Sequence, residues 1–186
     1  MSERGVRAVI LAAGMSSRVG KQKLLLSYRG RPMIEYAIAA AQRWSPVVVC
    51  GAEVAAYLVE RTDVALVRND EPERGMSHSL ALAHRLLPNE TTFVVLLGDK
   101  PHVTVELVAA IVEASGADIV FPARDGVPGH PVLLSPRARA SIEGLPAGDT
   151  LRFLRADARL TSRPIEVTGD GAFFDVDIPE QLDSFL

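Results

Sequence analysis

The chain has 186 residues, of which 48% are hydrophobic and 23% are charged, a balance typical of a globular protein with a substantial core. Its formal net charge of −3 argues against a broad basic surface for nucleic acid. The one cysteine, Cys50, excludes an intramolecular disulfide, and no apolar run approaches the ~20 residues that a membrane span needs. Because the N-terminus carries no signal-peptide pattern, we expect a cytoplasmic protein that makes no membrane contact.

Short apolar runs rich in β-branched residues alternate with helical patterns along the chain. This alternation predicts one domain over residues 1–186, an α/β sandwich with a largely parallel sheet. The predicted strands are 6–12, 46–50, 64–68, 93–97, 119–122, 132–134, 164–167 and 173–176. The predicted helices are 31–43, 53–60, 75–87, 105–114, 136–143, 151–156 and 179–185. The strand 93–97 is wholly apolar, which favours a central position in the sheet.

The first strand stops at Gly14 and leads directly into a loop of small residues that carries Arg18, Lys21 and Lys23. Small residues let backbone N–H groups approach an anion, and nearby cations neutralise its charge. Open α/β sheets bind ligands at the carboxyl ends of their strands. We therefore predict a phosphate-binding loop here, although a tight turn with solvated charges is the alternative.

A second candidate follows the strand 93–97, which ends in Gly98 and Asp99. If the strands are parallel, Asp99 lies at the same edge of the sheet as Gly14, in a crevice with few partners for its charge. Magnesium is a natural partner there, because Mg²⁺ takes one or two carboxylates together with substrate phosphates. The alternative is that Asp99 only forms a turn or caps a helix.

A third candidate is the acidic pair Asp175 and Asp177. Alternation along an extended segment sends both side chains to one side, so either could complete a magnesium site with Asp99. Asp177 could equally cap the helix predicted to start at Pro179. The sequence does not choose between Asp175 and Asp177 as the ligand.

Two further segments place polar residues between regular elements. His130 stands between a glycine and a proline in a polar loop, where substrate contact or general-base chemistry is plausible. Asn69 ends a strand, and Ser77 and Ser79 open the helix after it, so they could bind a base edge or a phosphate. The alternatives are a surface histidine and a simple helix cap.

In this order, the motifs resemble those of the nucleotidyltransferases that attach a nucleotide to molybdopterin. The resemblance covers almost the whole chain. The residues that carry it are Leu11-Ala12-Ala13-Gly14 with Arg18, Gly20, Lys23 and Leu24; Leu97-Gly98-Asp99-x-Pro101; Gly129-His130-Pro131-Val132; and Asp175-x-Asp177-x-Pro179-Glu180.

This resemblance implies a three-layer Rossmann-like fold with a mostly parallel mixed sheet. It also implies that a nucleoside monophosphate passes from a triphosphate to molybdopterin phosphate with Mg²⁺ as cofactor. Backbone at Leu11, Ala12, Ala13 and Gly14 would contact base and phosphates, and Arg18 and Lys23 would hold the triphosphate. Asp99 and Asp177 would bind Mg²⁺, and Asn69 and Ser79 would lie on the nucleotide side.

Finer features of the resemblance bear on the substrates. Ala13 stands where the guanylyl enzymes have glycine, and 75–80 is similar to the cytidylyl pattern, so CTP is favoured over GTP. Lys100 replaces the family's usual glutamine, and with His130 it is a candidate to bind the acceptor. A molybdenum hydroxylase is a possible client. The alternatives are another triphosphate, a sugar or alcohol phosphate as acceptor, or a non-catalytic nucleotide-binding accessory protein.

Overall fold

The structure is a computed structural model that describes residues 5–14, 22–145 and 150–176. Ten strands and six α-helices lie within these ranges. The strands are β1 (Val6–Ala12), β2 (Ser27–Tyr28), β3 (Arg31–Pro32), β4 (Val47–Cys50), β5 (Ala65–Arg68), β6 (Thr92–Leu97), β7 (Ile119–Arg124), β8 (Val127–Pro128), β9 (Val132–Leu134) and β10 (Ser162–Glu166). The helices are α1 (Met33–Ala41), α2 (Ala52–Leu58), α3 (Gly75–Leu86), α4 (Val105–Glu113), α5 (Pro136–Ala140) and α6 (Thr150–Ala156).

Seven strands follow one another across the main sheet in the order β10-β7-β9-β6-β1-β4-β5, and β8 pairs with β7. β1 pairs in parallel with both β6 and β4, and β4 pairs in parallel with β5. β9 is antiparallel to both of its neighbours, β6 and β7. The sheet is thus mostly parallel with one reversed strand, and β6 is central, as its apolar sequence predicts.

Helices cover both faces of this sheet, because successive side chains of each buried strand point in opposite directions. On one face, α1, α2 and α4 pack against side chains such as Ile10 and Val48. On the other face, α3, α5 and α6 pack against side chains such as Val9 and Val47. The predicted three-layer α/β fold with a mostly parallel mixed sheet is confirmed.

The structure also changes several predicted boundaries. The helix predicted over 31–43 starts at Met33, because Arg31 and Pro32 pair with β2 in a hairpin. The positive φ angles of Arg29 (46°) and Gly30 (86°) turn that hairpin. A second hairpin joins β7 to β8 inside the predicted loop 123–131, and it turns through Asp125 and Gly126 at φ 52° and 78°.

The strand predicted over 173–176 is wrong. A 3₁₀ turn, Asp170–Ala172, precedes it, and the N–H groups of Phe173 and Phe174 both donate to the carbonyl of Asp170. These backbone donors are therefore used locally and do not pair with another strand. The helix predicted over 179–185 lies outside the described residues.

Within the described part of the chain, none of the helices is both long and apolar enough to cross a membrane.

Candidate functional site

A cavity of about 310 Å³ opens where the carboxyl ends of β1 and β6 face the start of α3. This is the edge at which the sequence predicts ligand binding. The lining residues are Leu11, Ala12, Ala13, Gly14, Gln22, Lys23, Leu24, Pro72, Gly75, Met76, Ser79, Leu97 and Asp99.

The loops after β1 and β6 are held close together at the floor of this cavity. The Gly98 N–H donates to the Leu11 carbonyl over 3.0 Å. A Cβ on Gly98 would lie 3.1 Å from Leu24 Cδ1 and 3.2 Å from Ile34 Cδ1, which is tighter than ordinary contact. Glycine at position 98 therefore allows the loop that carries Asp99 to pack closely on Leu24 and Ile34.

The predicted cation and the predicted carboxylate meet at the cavity wall. Lys23 Nζ lies 3.2 Å from Asp99 Oδ2, with side chains 18% and 32% exposed. A short 3₁₀ turn, Lys23–Leu25, sets the position of Lys23: the Gln22 side chain caps it by accepting from Leu24 N–H. Leu24 is buried beneath the turn. The expectation that Asp99 has few partners for its charge is thus corrected, because Lys23 neutralises it.

The α3 side of the cavity is built on a buried amide–hydroxyl contact. Asn69 Nδ2 donates to Ser79 Oγ over 2.9 Å, and both residues are buried. Asn69 Oδ1 also accepts a hydrogen bond from the Glu71 N–H, and the backbone N–H of Asn69 donates to the Cys50 carbonyl. Asn69 therefore fixes the chain between β5 and α3, while Ser79 lines the cavity.

A second lysine–aspartate pair lies beside the first. Lys100 Nζ is 2.7 Å from Asp175 Oδ1, and the lysine side chain is only 5% exposed against 44% for the aspartate. The candidate acceptor ligand Lys100 and the alternative metal ligand Asp175 thus bind each other. The lining of the 310 Å³ cavity includes neither of them.

The segment around Asp175 packs against the loop that carries Asp99. The Val176 N–H donates to the Asp99 carbonyl over 3.4 Å. The Phe174 ring stacks on His102 at 4.7 Å between centroids, and His102 Nε2 lies 2.6 Å from the Tyr28 hydroxyl. Burial, with a smaller contribution from Arg29, lowers the pKa of His102 below its ordinary value.

His130 lies just before β9, joined to Pro131 by a cis peptide bond. Its N–H donates to the Ala172 carbonyl over 3.0 Å, so the loop before β9 is tied to the segment that contains Asp175. Two residues later, Val132 pairs with Val95 of β6, which places His130 near the carboxyl end of that strand.

The structure thus brings together most of the predicted site. Leu11 to Gly14, Lys23, Ser79 and Asp99 share one cavity, and Asn69 supports Ser79. Arg18 and Asp177 lie outside the described residues. Among residues 5–14, 22–145 and 150–176, no group of three or more His, Cys, Asp or Glu side chains is arranged to hold a metal ion.

Sequence reasoning missed two residues of the cavity wall, Gln22 and Pro72. Gly75 and Met76 of the segment 75–80 also line the cavity. Gly75 has a φ of 81°, a left-handed conformation that favours glycine at the start of α3. A glycine immediately before a helical pattern is a signal that could have pointed to this wall.

Comparison with known proteins identifies relatives of this fold and sequence. The chain is 24% identical over 135 residues to the molybdenum cofactor cytidylyltransferase of Escherichia coli K12, a match that spans 70% of each chain. A crystal structure of an Rv0371c homolog from Mycobacterium sp. strain JC1 superposes with a TM-score of 0.84 at 27% identity, over 99% of this chain and 96% of that one. The Rv0371c protein of Mycobacterium tuberculosis H37Rv, crystallised with manganese, gives a TM-score of 0.78 at 23% identity over 98% of both chains.

The sequence profile of the MobA-like NTP transferase domain matches residues 8–162, which include most of β1, all of β6 and the residues that line the cavity between them. With the shared fold and the cavity at the strand ends, this match establishes that the chain belongs to the MobA-like NTP transferase family of nucleotidyltransferases.

Proposed function

We propose that this protein transfers CMP from CTP to the phosphate of molybdopterin and releases pyrophosphate. The observation that carries the proposal is the cavity at the ends of β1 and β6, where Lys23 and Asp99 face each other across 3.2 Å. When a nucleotide and a cation bind, the Lys23 ammonium can leave Asp99 and bind the triphosphate. The Asp99 carboxylate can then bind the cation.

The reaction needs alignment and charge neutralisation more than a protein nucleophile. An oxygen of the acceptor phosphate forms a bond to the α-phosphorus of CTP. The bond from that phosphorus to the oxygen bridging to the β-phosphate breaks, and pyrophosphate leaves with the electron pair. Lys23 is proposed to stabilise the charge that gathers on the departing phosphates, and Arg18 is proposed to assist it.

The residues at the site fit a divalent cation, proposed to be Mg²⁺. Asp99 presents a partly exposed carboxylate at the cavity wall, which would hold a hard cation beside the phosphates of a bound nucleotide. Asp177 is the proposed second ligand, because it follows Val176, whose N–H donates to the Asp99 carbonyl. When bound, the cation neutralises phosphate charge and orients the reacting groups. The manganese in the M. tuberculosis relative supports divalent metal use.

The nucleotide is proposed to lie along β1. The side chains at Ala12 and Ala13 are small and buried, so a base and phosphates can approach the backbone of Leu11 to Gly14 closely. Ser79 would contact the base from the opposite wall, held by Asn69. Cytosine is favoured by Ala13 and by the cytidylyltransferase among the relatives. On the acceptor side we place His130.

Pyrophosphate release with each of the four ribonucleoside triphosphates, with and without molybdopterin, tests this function. We expect release only with acceptor and Mg²⁺, and highest for CTP. Calorimetry should show tighter binding of CTP than of GTP, because a pocket with matched polar groups discriminates against a base that leaves them unpaired.

The possible results separate the alternatives. Turnover with GTP equal to or above that with CTP would overturn the base specificity alone. Release with a sugar or alcohol phosphate but not with molybdopterin would overturn the acceptor. Tight nucleotide binding without any release would indicate a non-catalytic accessory protein.

A further inference from the structure

We propose that Lys100 is a positioning residue: its buried ammonium holds Asp175 and so fixes the segment 170–176 against the loop that carries Asp99. The proposal rests on the nucleotidyltransferase function proposed above. It assigns Lys100 a role that needs no contact with the nucleotide or the acceptor.

The two partners of this ion pair differ in exposure, and the difference indicates which of them needs the other. Lys100 is 5% exposed at its side chain, whereas Asp175 is 44% exposed. A buried ammonium without a counter-charge is strongly unfavourable, while a half-exposed carboxylate can be hydrated. Loss of the pair is therefore more unfavourable for the Lys100 ammonium than for the Asp175 carboxylate.

The pair is one of several contacts that join the segment to the loop. The Val176 N–H reaches the Asp99 carbonyl, and Phe174 stacks on His102. Gly171 lies so close to His102 that an added Cβ would collide with the His102 carbonyl oxygen. Of these contacts, the Lys100–Asp175 pair is the one that joins opposite charges.

The loop itself transmits this restraint to the cavity. It is a tight turn in which the Lys100 N–H donates to the Leu97 carbonyl over 3.4 Å and the Val103 N–H donates to the Lys100 carbonyl over 3.2 Å. Asp99 is inside this turn, so we expect a shift of Lys100 to displace the Asp99 carboxylate from its position opposite Lys23.

Unfolding experiments on the ligand-free protein test the pair directly. From the burial asymmetry, we expect Asp175→Asn to lower Tm by roughly 10 °C, since it strands a buried charge. Lys100→Gln, which leaves only a hydratable carboxylate, should lower Tm by about 3 °C. The double variant should be no worse than Asp175→Asn alone. Equal losses in the two single variants, or additive losses in the double variant, would overturn the pairing.

Kinetics tests the positioning role. Lys100→Gln should lower kcat by about tenfold while KM for CTP changes less than about twofold, because only the transition-state alignment is lost. A merely structural role would leave kcat intact well below Tm. Arg85→Gln is the matched control: its pair with Glu143 is 2.8 Å long, but both side chains are exposed, and its activity should be unchanged. An unchanged kcat in Lys100→Gln would overturn the proposal.

Amide hydrogen exchange separates this failure from a failure of the proposed function. Exchange over residues 98–103 should be faster in Lys100→Gln and Asp175→Asn than in the wild type, and unchanged in Arg85→Gln. If the wild type releases no pyrophosphate, this measurement still tests the restraint, and unchanged exchange in both variants overturns it. If the wild type and Lys100→Gln turn over equally, the positioning role fails and the proposed function stands.

Discussion

Two lysine–aspartate pairs lie side by side in this protein and differ in their surroundings. Lys23 and Asp99 are 3.2 Å apart at the wall of a cavity, with 18% and 32% of their side chains exposed. Lys100 and Asp175 are 2.7 Å apart, and that lysine is almost completely buried. We call Lys23–Asp99 the open pair, because both residues line the cavity, and Lys100–Asp175 the closed pair, because its lysine is buried although its aspartate side chain is 44% exposed.

The difference shows how burial decides whether an ion pair can exchange partners. In the open pair, solvent screens the attraction between Lys23 and Asp99. A triphosphate can therefore replace Asp99 as the partner of Lys23, and a cation can replace Lys23 as the partner of Asp99, at a small cost in free energy. In the closed pair, separation would leave the buried Lys100 ammonium without a counter-charge and poorly solvated, so the pair persists. We therefore interpret the open pair as part of the binding site and the closed pair as a part of its support.

The strongest test of the open pair is Asp99→Asn. Asparagine keeps the shape and most hydrogen bonds but removes the charge that a divalent cation needs. We expect turnover at saturating Mg²⁺ to fall on the order of 1,000-fold, with Tm changed by about 2 °C or less, because asparagine serves a turn equally well. Pyrophosphate release and thermal unfolding measure the two effects.

A surface aspartate provides the control for that variant. Asp70 pairs with Arg68 at 2.6 Å, but its side chain is 72% exposed and it is absent from the cavity lining. Asp70→Asn should retain full activity. Full activity in Asp99→Asn as well would exclude a metal role for Asp99.

Lys23→Met is expected to have a smaller effect, which weakens the binding of CTP and strengthens the binding of a metal ion. Loss of the ammonium should weaken CTP binding by about tenfold, because one charge contact to the phosphates disappears. Without nucleotide, the same change should strengthen Mn²⁺ binding, since Lys23 no longer competes for Asp99. Calorimetry with CTP and paramagnetic titration with Mn²⁺ measure both. A fall in both affinities would show that the open pair does not exchange as described.

The smallest effect concerns the aromatic contact beside the closed pair. Burial and Arg29 lower the pKa of His102 below its ordinary value of 6.5, so the folded state binds this proton less readily than the unfolded state. The contribution of neutral His102 to the free energy of unfolding is therefore complete above about pH 6.5, and it declines as the pH falls below that value. His102→Gln should reduce the loss of stability between about pH 7.5 and about pH 5.5, as measured by urea unfolding.

A second histidine controls for this pH effect. The pKa of His84 is also lowered, by burial and by Arg139, but His84 lies on the far end of α3. In His84→Gln the contribution of His102 should persist. A pH profile for His102→Gln identical to that of the wild type would contradict the assignment.

The sequence was sufficient for the layered fold and for the first wall of the site. The strand Val6–Ala12 and the turn after it are encoded locally by an apolar run that ends in glycine. The strand β6 and the turn that carries Asp99 are likewise encoded locally, by an apolar run that ends in Gly98. Parallel pairing then brings Gly14 and Asp99 to one edge without any further information.

The remaining features depend on contacts between residues distant in the chain. From the sequence alone, Lys100 would be interpreted as an exposed cation in a loop. Nothing near it in the sequence indicates that Asp175 neutralises its charge. The segment 173–176 has the alternation of a strand, but its backbone N–H groups donate to the carbonyls of Asp170 and Asp99 instead. The hairpin at Asp125 and Gly126 could have been predicted, because Asp-Gly is a strong turn signal between β-rich runs.

The reversed strand β9 has a consequence for how the rim of the site can vary. Since β9 runs against its neighbours, its amino end shares an edge of the sheet with the carboxyl ends of β6 and β7. The connection from β7 to β9, with its turn at Asp125 and Gly126 and the exposed Val127 of β8, therefore extends the rim, whereas the connection from β9 to α5 lies at the opposite edge. Insertions in the first connection would reshape the surroundings of His130, the proposed acceptor contact, and insertions in the second would leave those surroundings unchanged. One strand reversal thus divides the loops of this half of the sheet into those that evolution can use for selectivity and those that it can vary freely.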